Sequence, residues 1–202
     1  MEIGEKVRVV GLCGSLRPGS HTRAVVEAAL AGADETGSDT ALLDLRDYQL
    51  VFCDGKDDES GYPDDVERLR ESVRSAQGLI LGSPEYHGSF SGVIKNALDL
   101  MGSDELNGKI VGLVGVSGGQ MGASGALSGL RQICRSVHAW AIPHQASIPQ
   151  AWNAIDDNGR ITDEGLRDRV MDVGRQVARY AYLHNASEIQ DLVARWEGSE
   201  TS

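Results

Sequence analysis

Apolar and polar positions fall into short alternating blocks along this chain. Val7-Arg8-Val9-Val10-Gly11-Leu12 is an apolar run that stops at a polar stretch from Gly14 to Thr22. A short run rich in β-branched residues predicts a strand buried on both faces. Residues 20–33 then read as a helix with Val26, Ala29 and Leu30 inward. Thr40 to Leu45 predicts a second strand. Residues 46–63 form a long acidic loop containing Asp57-Asp58-Glu59, with turn signals at Gly55, Gly61 and Pro63. A helix starts at Asp64 or Asp65 and carries Val66, Leu69 and Val73 on one face. Gly78 to Gly82 is a short buried strand, and Pro84 to Gly92 a polar loop. The next helix aligns Val93, Ile94, Ala97, Leu98 and Met101. Lys109 to Val116 predicts a fourth strand, Gln120 to Val137 a helix, Ala139 to Ile142 a short fifth strand, and Asp163 to Leu183 a long helix.

Strands alternating with helices imply an α/β fold whose parallel sheet is covered on both faces. Five strands in a doubly wound sheet predict the flavodoxin-like order 2-1-3-4-5, with ligand beyond the carboxyl ends of strands one and three. The loops to watch are 13–22, 84–91 and 117–122. A length of 202 residues predicts one domain, here 1–196, with a frayed tail over 197–202. The charge of −11, from 30 acidic against 19 basic residues, argues against nucleic acid as a partner. Fifteen of the basic residues are Arg and four Lys, a bias that fits either a GC-rich genome or a saline cytoplasm. No apolar run is long enough to cross a bilayer, and Met1 to Lys6 lacks a signal-peptide pattern. Cys13, Cys53 and Cys134 are odd in number and far apart, which argues against disulfides and zinc and for a reducing cytoplasm. Cys13 and Cys134 sit among apolar residues and read as core fillers.

The chemistry concentrates where the first strand ends. A strand-to-helix turn presents free N–H groups and the positive end of a helix dipole, which together bind anions. Ser15, Ser20 and Thr22 add hydroxyls and Arg17 a fixed charge. A nucleotide P-loop needs Lys-Ser/Thr after the second glycine, but Gly14 and Gly19 are followed by Ser20-His21. The dinucleotide fingerprint is also absent. A phosphomonoester suits what remains; a plain turn with Ser20 as N-cap is the alternative. A second candidate is Gly115-Val116-Ser117-Gly118-Gly119, a match to the G-x-S-x-G hydrolase turn, with Asp156 or Asp157 and His184 later in the chain.

The G-S-x-R-x-x-S motif at 14–20, Pro84-Glu85-Tyr86 and G-x-x-K-N-A-x-D at 92–99 together resemble the NADPH-dependent FMN reductase family. The resemblance runs from about Val7 to Gly119. It implies FMN as cofactor, NADPH or NADH as reductant, and a small-molecule acceptor such as FMN, a quinone, chromate or an azo dye. It implies that Ser15, Arg17, Ser20 and Thr22 hold the FMN phosphate, with His21 lending its backbone. Pro84, Glu85, Tyr86 and His87 would border the isoalloxazine ring, largely through the main chain, and Ser117, Gly118 and Gly119 would form a third wall. It assigns no catalytic side chain and no metal, expects ping-pong kinetics, and leaves Lys95 and Asp99 to helix packing or a subunit contact. A homodimer or homotetramer is expected. The chain departs from the family pattern at Thr22 and His87, where Asn is frequent, and at Ser91, where Pro is frequent. His87 could titrate beside the ring, or face solvent on a loop whose backbone does the binding. An electron carrier without its own NADPH oxidation, and a redox sensor on the same scaffold, are the other readings.

Overall fold

The computed structural model describes residues 5–56 and 61–199. Strands β1 (Arg8–Cys13) and β2 (Asp39–Asp44) flank helix α1 (His21–Asp34). Then come α2 (Asp64–Arg74), β3 (Gly78–Tyr86), β4 (Ser89–Phe90), α3 (Gly92–Asp99) and α4 (Ser103–Leu106). The chain continues through β5 (Ile110–Val116), α5 (Ser124–Ser136), β6 (Trp140–Ile148), α6 (Ala151–Ala154), α7 (Glu164–Asn185) and α8 (Ser187–Ser199). Five parallel strands lie in the order β2-β1-β3-β5-β6, and β4 is a two-residue arm folded back on β3. Leaving that arm aside, this is the expected order 2-1-3-4-5.

The sheet is apolar on both faces because helices cover both. On one side α1 and α7 bury Val25, Val26, Ala29, Val170, Val173 and Val177 against it. On the other, α2, α3 and α5 bury Leu69, Val73, Ile94, Ala97, Leu127 and Leu130. Helices α1 and α7 meet backbone to backbone. A Cβ on Gly174 would lie 1.7 Å from the Ala29 carbonyl oxygen, and one on Gly32 would lie 2.0 Å from that of Met171.

Three boundaries differ from the sequence reading, each for a local reason. Strand β3 runs on past Gly82, so Pro84, Glu85 and Tyr86 stand in a strand rather than a loop. Pro84 pairs in register with Val116, while Glu85 and Tyr86 pair with the β4 arm. Strand β6 continues six residues beyond Ile142. Pro143 and the polar His144-Gln145 hide it in the sequence, yet an edge strand tolerates both. The register slips there between Val111 and Leu113, and Arg131 donates to the freed carbonyls of Ala141 and Ile142 at 3.3 and 3.0 Å. Helix α5 begins at Ser124 rather than Gln120, after a turn in which Gly122 has φ +68°.

The 46–63 segment is pinned at its start. Asn96 donates to the Val51 carbonyl at 2.9 Å and accepts from the Cys53 N–H at 3.3 Å. Asp57-Asp58-Glu59 lies outside the described residues. So does the end of the expected tail, residues 200–202; α8 carries the chain to Ser199. Lys95 and Asp99 pair with each other on the exposed side of α3 at 2.6 Å. Cys13 and Cys134 are buried, and all three cysteines are unpaired. Among the described residues no helix is long and apolar enough to cross a membrane.

Candidate functional site

The carboxyl ends of β1, β3 and β5 converge on one cavity of about 430 Å³, within the range of roughly 300–1,000 Å³ usual for small-molecule sites. Its first wall is the turn after β1. The Gly14 N–H donates to the Gly82 carbonyl at 2.8 Å, and a Cβ on Gly14 would stand 2.7 Å from that of Ile94. Only glycine lets the chain leave the sheet that close to α3. Gly19, at φ +62°, completes the turn in the left-handed region. Ser20 caps α1, its Oγ accepting from the Arg23 N–H at 3.3 Å. The N–H groups of His21 and Thr22 have no acceptor within the helix. Ser15 and Thr22 are 3 % and 2 % exposed at the edge of the cavity, while Arg17 reaches out over its mouth. Behind the turn, burial pushes the Cys13 thiol up to about 11, so it stays protonated at neutral pH.

The second wall is the end of β3. Pro84 is buried, Glu85 half-buried and Tyr86 exposed. The Glu85 carboxylate accepts from the Ala126 N–H of α5 at 2.9 Å. Ala123, the N-cap of that helix, has no side-chain acceptor. Glu85 therefore caps α5 from another element and meets the positive end of its dipole. His87 and Gly88, at φ +52° and +77°, form the two-residue turn between β3 and β4. Asn suits such a turn, and His tolerates it. His87 is exposed and does not line the cavity.

Ser91 ties the first two walls together. Its Oγ donates to the Gly14 carbonyl at 2.6 Å and accepts from the Ile94 N–H at 3.2 Å, capping α3. Its own N–H donates to the Ser83 Oγ at 2.9 Å. Proline could make neither the donor bond nor the cap.

The third wall is the end of β5: Val116, Ser117 and Gly118. The Ser117 Oγ accepts from the Gly119 N–H at 3.0 Å, and Gly119 itself does not line the cavity. Of the twelve expected site residues, the cavity brings together all but His87 and Gly119. It also adds Ala151 and Trp152 of α6, which no sequence motif marked.

Beside the mouth, Asp44 is bonded to Arg46 at 2.5 Å and lies 3.7 Å from Arg23. Burial disfavours its charge, but the bonds from Arg46 outweigh this and hold the carboxyl below its usual range.

The hydrolase triad does not assemble. Ser117 follows the carboxyl end of β5, whereas His184 lies against Gly108 and Trp140, at the start of β5 and β6. The seven residues of β5 separate the two ends, a distance of about 20 Å at strand rise.

The sequence profile of the NADPH-dependent FMN reductases matches residues 7–153. An NAD(P)H-dependent FMN reductase of Pseudomonas aeruginosa is 34 % identical over 173 residues, covering 83 % of this chain and 91 % of that protein. An FMN-dependent NADPH-azoreductase of Staphylococcus saprophyticus is 38 % identical over 150 residues, covering 72 % and 79 %. Among solved structures, the NAD(P)H:(acceptor) oxidoreductase FerB from Paracoccus denitrificans superposes with a TM-score of 0.67 at 25 % identity, over 89 % of this chain and 99 % of that one. With the profile spanning most of the chain and the cavity standing at the strand ends that its motifs mark, the protein belongs to the NADPH-dependent FMN reductase family.

Proposed function

We propose that this chain is an FMN-dependent NAD(P)H oxidoreductase passing an electron pair from NADPH or NADH to FMN, a quinone or a similar small acceptor. The observation that carries the reading is a single cavity joining an anion-binding helix start to a slot between the ends of β3 and β5. The first turn fits a phosphomonoester: free N–H groups at His21 and Thr22, hydroxyls at Ser15, Ser20 and Thr22, and the Arg17 guanidinium. When bound, FMN would supply the two-electron chemistry linking nicotinamide to acceptor. Pro84, Glu85 and Tyr86 would border its ring on one side, and Ser117 and Gly118 on another. The Glu85 carboxylate is already engaged by α5, so it shapes the wall and moves no proton.

The acceptor enters from the open mouth, where the lining residues Tyr86 and Trp152 are exposed. Apolar side chains at that rim suit closure by a second copy, and a homodimer or homotetramer is part of the proposal. Three unpaired cysteines, one of them exposed, support a reducing, cytoplasmic location.

The test is spectroscopic and kinetic. The purified protein is expected to bind FMN, and NADPH should bleach the bound flavin. Initial-rate plots against NADPH and quinone should run parallel. Failure to oxidise NADPH while still binding FMN would leave an electron carrier instead.

A further inference from the structure

Arg17 differs from the two arginines of the adjoining cleft, which shares Gly19, Ser20 and His21 with the cavity. Arg23 bonds to Glu27 at 3.0 Å and Arg46 to Asp44 at 2.5 Å, so a carboxylate offsets each charge. Arg17 has no carboxylate partner among the described residues and instead lies over the Trp152 ring, its guanidinium carbon 5.6 Å from the ring centroid. An aromatic face attracts a cation without neutralising it. The full charge stays available to an incoming anion.

Trp152 is built into this place. It sits on the single turn α6, which starts from Gln150 in the left-handed region at φ +45°. Two backbone bonds lace that turn to the third wall: Gln150 N–H to the Gly119 carbonyl at 3.1 Å and Ala151 N–H to the Ser117 carbonyl at 3.0 Å. The ring packs on Gly118, where a Cβ would come within 2.9 Å of Trp152 Cζ2. The His21 ring meets it edge-on at 5.7 Å. Trp152 is nonetheless 60 % exposed. Its ring thus spans from the third wall to the first, and core packing does not account for it.

We propose that Trp152 is a positioning residue for the flavin phosphate. It holds Arg17 uncompensated over the anion site, so it sets both the preference for FMN over unphosphorylated riboflavin and the rate at which FMN departs. This rests on the flavin reading above. A resident cofactor needs slow departure, and a released flavin needs fast departure; Trp152 is placed to decide between them.

The test measures affinity and dissociation of FMN and of riboflavin on apoprotein, by quenching of flavin fluorescence, for wild type, Trp152→Ala, Trp152→Phe, Arg17→Ala and the Trp152→Ala/Arg17→Ala double variant. Circular dichroism checks the fold of each. Trp152→Ala should weaken FMN about three- to tenfold, the range for a partly exposed cation–π contact, mostly through faster dissociation, and leave riboflavin unchanged. Trp152→Phe should stay within about twofold, since a phenyl ring keeps the face. In the Arg17→Ala background, Trp152→Ala should add nothing. Equal weakening of FMN and riboflavin would make Trp152 a wall for the ring and overturn the proposal, as would additivity in the double variant or no effect on FMN. If wild type bound neither flavin, the flavin reading itself would fall. If wild type bound FMN and Trp152→Ala matched it, only the role of Trp152 would.

Discussion

Gly174→Ala sets two effects of opposite sign against each other. In a helix interior, Ala is favoured over Gly by about 1 kcal/mol, and it also restricts the unfolded chain. Where space allows, the change stabilises. Here an added Cβ falls 1.7 Å from the Ala29 carbonyl oxygen and 2.9 Å from the Ala33 nitrogen. Both obstacles are backbone, and neither can rotate aside. The two helices must part by more than an ångström, loosening the seam of Val25, Val26, Val173 and Val177. Overpacking costs about 1–3 kcal/mol when side chains can yield; with backbone on both sides the upper figure applies. The balance is a loss of about 2 kcal/mol, which lowers Tm by roughly 4–8 °C for a chain of this length. Urea denaturation should show a lower midpoint at unchanged slope. Gly165, exposed in the first turn of the same helix with only the Asp163 carboxylate 3.4 Å away, is the control, and Gly165→Ala should be neutral or mildly stabilising. A Gly174→Ala variant as stable as wild type would refute the backbone contact.

Three further outcomes follow from the site. Glu85→Ala removes the acceptor that caps α5 and should cost about 1–2 kcal/mol; an unchanged urea midpoint would show the cap to be idle. His87→Asn places a residue at ease in the left-handed region and should raise the unfolding free energy by a few tenths of a kcal/mol without altering flavin binding; a lost flavin site would mean that His87 contacts the ligand. Asp44 is held below its ordinary value near 3.8 by Arg46, so its contribution to stability is present above that value and fades as pH falls through the lower, folded one. Asp44→Asn should therefore flatten the acid limb of stability against pH below about 4, whereas an identical limb would remove the Arg46 pair from the account.

Much of the fold was legible because its signals are local. The first strand, the Ser20 cap and the inward face of α1 follow from an apolar run, a hydroxyl and a period of 3.6. What stayed hidden depends on contacts distant in sequence. Pro84-Glu85-Tyr86 reads as loop because proline and charge leave strands, yet β5 and the β4 arm supply pairing partners from elsewhere. The far half of β6 is masked by Pro143 and the exposed polar pair His144-Gln145, which leave only Ala146 and Ile148 to mark its inward face. Ser91 appeared as a departure from a family pattern; only its 2.6 Å bond to Gly14, seventy-seven positions away, explains it. Trp152 carried no motif, and its meaning comes from Arg17 and Gly118 across the mouth.

The Ser91 bond also bears on how such a chain can change. It fastens the turn after β1 to the start of α3, and the Ser91 N–H ties both to Ser83 in β3, so the first two walls of the cavity share one frame. The stretch from Tyr48 to Cys53 is hung on that frame from outside, through Asn96 and Asp65. That stretch contributes no residue to the cavity lining, so substitutions there leave the frame its dimensions. The stretch is in that sense a detachable part, open to selection or engineering without reopening the problem of holding the flavin.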